Sequence, residues 1–63
     1  MMTLTELEKK MPELQKLNYS IRAYLNRNNI NYKRPLFGEE TIEDDEAKKV
    51  LEIYQADVVK AEL

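Results

Sequence analysis

Apolar residues recur along this chain at helical spacing, not in strict alternation. Leu4, Leu7 and Met11 fall three and four positions apart, which stacks them on one face of an α-helix. Thr3-Leu4-Thr5-Glu6 precedes them with capping-box spacing, so Thr3 or Thr5 is the expected N-cap. Pro12 interrupts this pattern. Proline lacks an N–H, clashes with the preceding turn, and disfavours helical geometry in the residue before it, yet it suits a helix's first position. A break at Met11 and a new helix opening Pro12-Glu13-Leu14 are therefore expected.

Residues 12–28 admit two readings. In one, the helix runs from Pro12 to about Asn28, with Leu14, Leu17, Ile21 and Leu25 as its stripe. In the other, Asn18 is an N-cap and a separate helix runs from Tyr19 to about Asn28. Either way Asn28-Asn29 ends it, because Asn tolerates the left-handed conformation at a helix C-terminus. Residues 30–40, INYKRPLFGEE, hold a Pro and the lone Gly and are expected to form a loop or extended arm. The last stripe is Ala47, Val50, Leu51, Tyr54, Val58 and Ala61, predicting a helix from about residue 43 to 62. Thr41-Ile42-Glu43-Asp44 offers a second capping box, and acids at 43–46 suit the positive end of the helix dipole. Asp44 with Lys48 and Asp45 with Lys49 are spaced as i,i+4 pairs.

The fold expected from these elements is all-α, a single domain of three or four helices over residues 1–63. Its parts are a helical pair over 1–29, a basic loop over 30–40 and an acidic amphipathic helix over 41–63. A chain this short buries only about 60% of its unfolded surface. With no Cys there is no disulfide to compensate. A homodimer through helix 43–62, burying Ile53 and Val59, would supply the missing apolar area.

Composition narrows the chemistry. Without His or Cys there is no imidazole base, no thiolate nucleophile and no His- or Cys-based metal site. Ser20, the only serine, has no His to activate it, and a single Gly rules out a glycine-rich phosphate loop. The expectation is a non-enzyme without a cofactor. No run reaches the roughly 18 apolar residues of a membrane span, and the N-terminus turns charged at Glu6. A cytoplasmic location is expected, and the Lys, Asn, Ile, Tyr and Glu usage suggests an A+T-rich bacterial or phage source.

The net charge of −2 conceals two unlike halves. Residues 1–35 carry seven bases and three acids, and residues 36–63 carry three bases and nine acids. Such asymmetry points either to a nucleic-acid partner or to two halves that neutralise each other. No acid occurs between Glu13 and Glu39, while Arg22, Arg27, Lys33 and Arg34 do. On a helix over 19–29, Tyr19, Arg22, Ala23 and Asn26 share the side opposite Ile21 and Leu25, with Arg27 flanking it. Arg and Asn are the side chains that read guanine and adenine edges.

In LTELEKKM, PELQKLN and YSIRAYLNRNNI the N-terminal half resembles a helix-turn-helix, with a connection longer than usual and without its turn Gly. The resemblance implies a small DNA-binding regulator, of phage or mobile-element type. Tyr19, Ser20, Arg22, Ala23, Asn26 and Arg27 would face DNA, and Lys33 and Arg34 would reach phosphate from an arm. The competing expectation is a helical protein-interaction module without DNA, acting through its helical faces or through the acids from Glu39 to Glu46. DNA mimicry is one form of it. Capping explains Glu43 to Glu46 but not Glu39 and Glu40. A coiled coil with Leu4, Leu7, Met11, Leu14, Asn18, Ile21 and Leu25 at heptad positions is a third possibility, against which Pro12 argues.

Overall fold

The computed structural model describes residues 1–62. Its elements are β1 (Met2–Thr3), α1 (Leu4–Lys9), a 3-10 turn (Leu14–Leu17), α2 (Ile21–Arg27), β2 (Thr41–Ile42) and α3 (Asp44–Glu62). The fold is therefore mostly helical but not all-α, because β1 and β2 pair antiparallel with Met2 opposite Ile42 and Thr3 opposite Thr41. Two-residue strands have too little length to show a period of two, so the apolar pattern could not announce them. Leu4 extends the pairing by donating its N–H to the Glu40 carbonyl at 3.0 Å.

Thr3 does two jobs. Its extended backbone pairs with β2, and its hydroxyl accepts from the Glu6 N–H while the Glu6 carboxylate returns to the Thr3 N–H, the capping box expected from sequence. Helix α1 ends at Lys9, before Pro12. Pro12 does not begin a helix. It opens a turn in which the Leu14 N–H donates to the Met11 carbonyl at 3.1 Å, and only then does the 3-10 turn start. Both readings of residues 12–28 therefore need correction. There is no continuous helix, and Asn18 is no N-cap: it closes the 3-10 turn in the left-handed conformation at φ 64°. Ser20 caps α2 instead, accepting from the Ala23 N–H at 3.2 Å. The continuous coiled coil fails on the same facts, and Asn18 lies exposed.

Residues 10–20 separate α1 from α2, and α2 is shorter than the helix expected over 19–29. The N-terminal half is consequently no helix-turn-helix: a short turn cannot be found where a Pro-initiated turn, a 3-10 turn and a left-handed Asn intervene. The Asn28-Asn29 stop is present, with Asn29 at φ 58°. The Thr41 capping box is absent because Thr41 is in β2. α3 starts at Asp44, and the Glu43 carbonyl accepts the Ala47 N–H. The Asp44–Lys48 and Asp45–Lys49 pairs do not form either. Pairing of β1 with β2 brings the Met1 ammonium within 2.8 Å of Asp44, and Lys49 lies 3.8 Å from Glu46.

The core gathers Leu4 and Leu7 from α1, Met11 and Leu14 from the connection, Ile21, Tyr24 and Leu25 from α2, Ile30, Ile42 from β2, and Ala47, Val50 and Tyr54 from α3. Two buried tyrosines complete it by engaging their hydroxyls across the fold. The Glu13 N–H donates to the Tyr54 hydroxyl at 2.7 Å, pinning the Pro12 turn to α3. Tyr24 donates to the Asp57 carboxylate. Burial first, and this hydrogen bond second, push the Tyr24 phenol well above its ordinary value. Among the described residues no helix is long and apolar enough to cross a membrane.

Candidate functional site

The loop after α2 is closed at its base. Lys33 and Thr41 exchange two backbone hydrogen bonds, Lys33 N–H to the Thr41 carbonyl at 2.7 Å and Thr41 N–H to the Lys33 carbonyl at 3.1 Å. Residues 34–40 are thereby held as a loop on the edge of the small sheet, not as a free basic arm. One step in from the base, the Arg34 Nε donates to Glu40 Oε2 at 3.1 Å. Glu40 Oε1 receives Arg22 from α2, through Nε at 2.7 Å and through Nη2. A single carboxylate thus ties α2 to both sides of the loop. The hydrogen bond from Arg22, with help from Arg34, holds the Glu40 carboxyl below its ordinary value of 4.5.

The tip beyond this clamp is Pro35-Leu36-Phe37-Gly38-Glu39. Leu36 is 96% exposed and Phe37 91%. Gly38 adopts φ 93°, where a side chain would be strained, so the tip depends on this glycine to turn back.

The residues expected to meet DNA are dispersed among structural duties. Tyr19 is half-buried, with its ring 5.4 Å from that of Tyr24, and the exposed Arg27 guanidinium lies 5.4 Å from the Tyr19 ring. The Ser20 hydroxyl is engaged as the α2 cap. Ala23 and Asn26 are exposed. Arg22 and Arg34 converge, but on Glu40, and the Lys33 ammonium sits 2.9 Å from Glu43. Arg34 also lies 5.7 Å from the Tyr32 ring. Asn26 joins Tyr32 and Arg34 around a shallow dent. The structure therefore brings together Arg22, Arg34 and, more loosely, Asn26.

Two features were missed from sequence. Leu36-Phe37 stood in a segment already assigned to a loop, between Pro35 and Gly38, and two large apolar residues with no helical register to join were the signal. Glu39 and Glu40, the acids that capping left unexplained, were the other: Glu40 is the clamp.

A depression of about 600 Å3 borders the loop and includes Arg22, Arg34, Pro35, Glu39 and Glu40. Its Arg22, Arg34 and Glu40 are committed to one another, and Glu39, also in its lining, has no ion-pair partner among the described residues. A carboxylate held ionised by two guanidinia is a poor proton donor and a weak base. Among the described residues no group of acids is placed to hold a metal ion. What the surface offers is an apolar, pre-shaped projection. Comparison with protein-family models, curated proteins and solved structures returned no match to this chain.

Proposed function

We propose that this chain is a small protein-interaction module that binds through the Leu36–Phe37 tip. The observation that carries this reading is the near-complete exposure of two adjacent large apolar side chains on a loop clamped at its base. Lone exposed apolar residues are ordinary, but paired ones on a projection mark contact sites. Because the base is fixed by Lys33–Thr41 and by Glu40, binding orders little new chain and so loses less entropy.

DNA binding through Tyr19, Ser20, Arg22, Ala23, Asn26, Arg27, Lys33 and Arg34 draws less support. Arg22, Lys33 and Arg34 would each have to leave an acid before meeting phosphate or a base edge. The acidic segment as the contact also draws less, because Glu40, Glu43 and Asp44 are occupied by Arg22, Arg34, Lys33 and the N-terminal ammonium.

The test places a photo-activated benzophenone side chain at position 37 and irradiates the protein in extract of its source cell. The expected product is a discrete protein adduct. An adduct with nucleic acid, or none, would overturn the reading.

A further inference from the structure

Resting on the protein-binding reading, we infer that the partner presents an extended peptide segment. This segment adds as a strand to the open edge of the small sheet at residues 32–34 and meets the Leu36–Phe37 tip where that edge ends.

β2 is the middle of the sheet. On one side it pairs with β1, and on the other Thr41 exchanges two backbone hydrogen bonds with Lys33. The β1 edge is closed. The outward Thr3 N–H donates to the Glu6 carboxylate at 3.4 Å, and the chain turns at once into α1. The Lys33 edge is open. Where an antiparallel pair exchanges both of its bonds, the N–H and C=O groups of the flanking residues point away from the paired strand. Here the flanking residues are Tyr32 and Arg34. Their backbone groups have no hydrogen-bond partner among the described residues. The proline after Arg34 favours extended geometry there, and Pro35, with no N–H, ends the row of donors. A shallow dent of about 270 Å3, bordered by Asn26, Ile30, Asn31, Tyr32 and Arg34, leaves room beside this segment.

A row of unpaired backbone groups at strand spacing is complemented by the backbone of another strand. A helix uses its own backbone groups internally and does not meet them. In antiparallel addition one incoming residue exchanges both bonds with Arg34, and the residue two further along does the same with Tyr32. The incoming residues before that pair then run toward Leu36 and Phe37. The partner segment therefore carries apolar side chains toward its N-terminal end. Main-chain bonds contribute affinity and the apolar contacts contribute selectivity. Both halves of the surface are formed in advance, the edge by the Lys33–Thr41 pairing and the tip by the Glu40 clamp. A second copy of this chain fits the edge poorly. Two-fold pairing that engages Tyr32 and Arg34 of both copies sets Lys33 opposite Lys33, and like charges directly opposite are destabilising.

The experiment pans a phage-displayed library of short random linear peptides on the immobilised protein. Selected peptides are synthesised and their dissociation constants measured by calorimetry. They are expected to carry apolar residues toward their N-terminal ends and to protect the Tyr32 and Arg34 amide hydrogens from exchange. The chain is short enough for chemical synthesis, so the Arg34 N–H is replaced by an ester oxygen, which removes one outward donor and no internal bond. That change is expected to weaken binding about three- to tenfold, whereas the same change at Glu39, beyond the edge, leaves it unaltered. Phe37→Ser is expected to weaken binding about tenfold or more. Thermal melts verify that each variant folds. A library that yields no binder overturns the inference, and so do peptides that bind as helices. Binding lost with Phe37→Ser but indifferent to the Arg34 ester overturns strand addition and leaves the tip reading standing. Binding sensitive to the ester but indifferent to Phe37→Ser overturns the tip reading and the joint site with it. Wild type that dimerises without peptide, with the Tyr32 and Arg34 amides protected, overturns a foreign strand as the occupant.

Discussion

Glu40 shows how much one side chain can decide. It accepts from Arg22 on α2 and from Arg34 on the loop, so losing its charge releases two guanidinia at once. The sign of its pH dependence follows from its lowered value. Its contribution is fully present above the ordinary carboxylate value of 4.5 and disappears as pH falls through the lower folded value. A carbon-detected NMR titration should therefore give Glu40 a midpoint below 4.5, with the Arg22 and Arg34 Nε signals moving alongside it. A midpoint at or above that value would mean that the clamp does not form. Glu40→Gln should leave the helices in place while raising fast motion at the Leu36 and Phe37 amides, which heteronuclear NOE values read directly. Sequence alone could flag Glu40 only as an acid without a capping role, because its partners lie 18 and 6 positions away, and no single helix or strand spans either separation.

Elements were legible where their causes are local. The Thr3–Glu6 box, the Asn28-Asn29 stop and the α3 stripe each depend on residues within a turn or two of one another, and each is present in the structure, the stripe as far as Val58, with Ala61 exposed. Between Met11 and Ile21 the local signals competed. Pro12 and Asn18 can both start a helix by their preferences, yet the Tyr54 hydroxyl captures the Glu13 N–H and holds the chain in a turn, while Asn18 takes the left-handed cap that Asn also tolerates. That decision is tertiary and could not be read from the segment. The β1–β2 pairing is likewise a contact between distant residues too short to leave a pattern. Two substitutions separate the roles. Ser20→Ala should cost about 1 kcal/mol by orphaning the Ala23 N–H at the start of α2. Asn18→Ala should cost about 1–2 kcal/mol through the left-handed backbone, whereas Asn18→Gly should not. Urea unfolding distinguishes these outcomes; equal effects of Ala and Gly at position 18 would mean that the Asn side chain, not its backbone, matters.

At the scale of the whole molecule, part of the charge asymmetry of the sequence is neutralised internally. Bases of the first half meet acids of the second at Arg22–Glu40, Arg34–Glu40 and Lys33–Glu43, so the field that would draw DNA is reduced where it was expected. Ion pairs open to solvent are worth little individually; the fold rests on the apolar core. A chain of this length has a total stability on the order of 3–9 kcal/mol at about 0.05–0.15 kcal/mol per residue. Leu7 is fully buried at the centre of that core, so Leu7→Ala should remove about 2–5 kcal/mol, enough to unfold much of the population. Leu36 and Phe37 bury almost nothing within the chain. Replacing both with Ser should leave the melting temperature unchanged or slightly higher, while abolishing the binding proposed for the tip. Thermal melts followed by circular dichroism at low micromolar concentration make the comparison. A marked drop for the Leu36→Ser/Phe37→Ser variant would mean that the tip packs against the body and is part of the fold. An unchanged melt shows two large apolar residues kept exposed with no return in stability, which is what a contact surface requires.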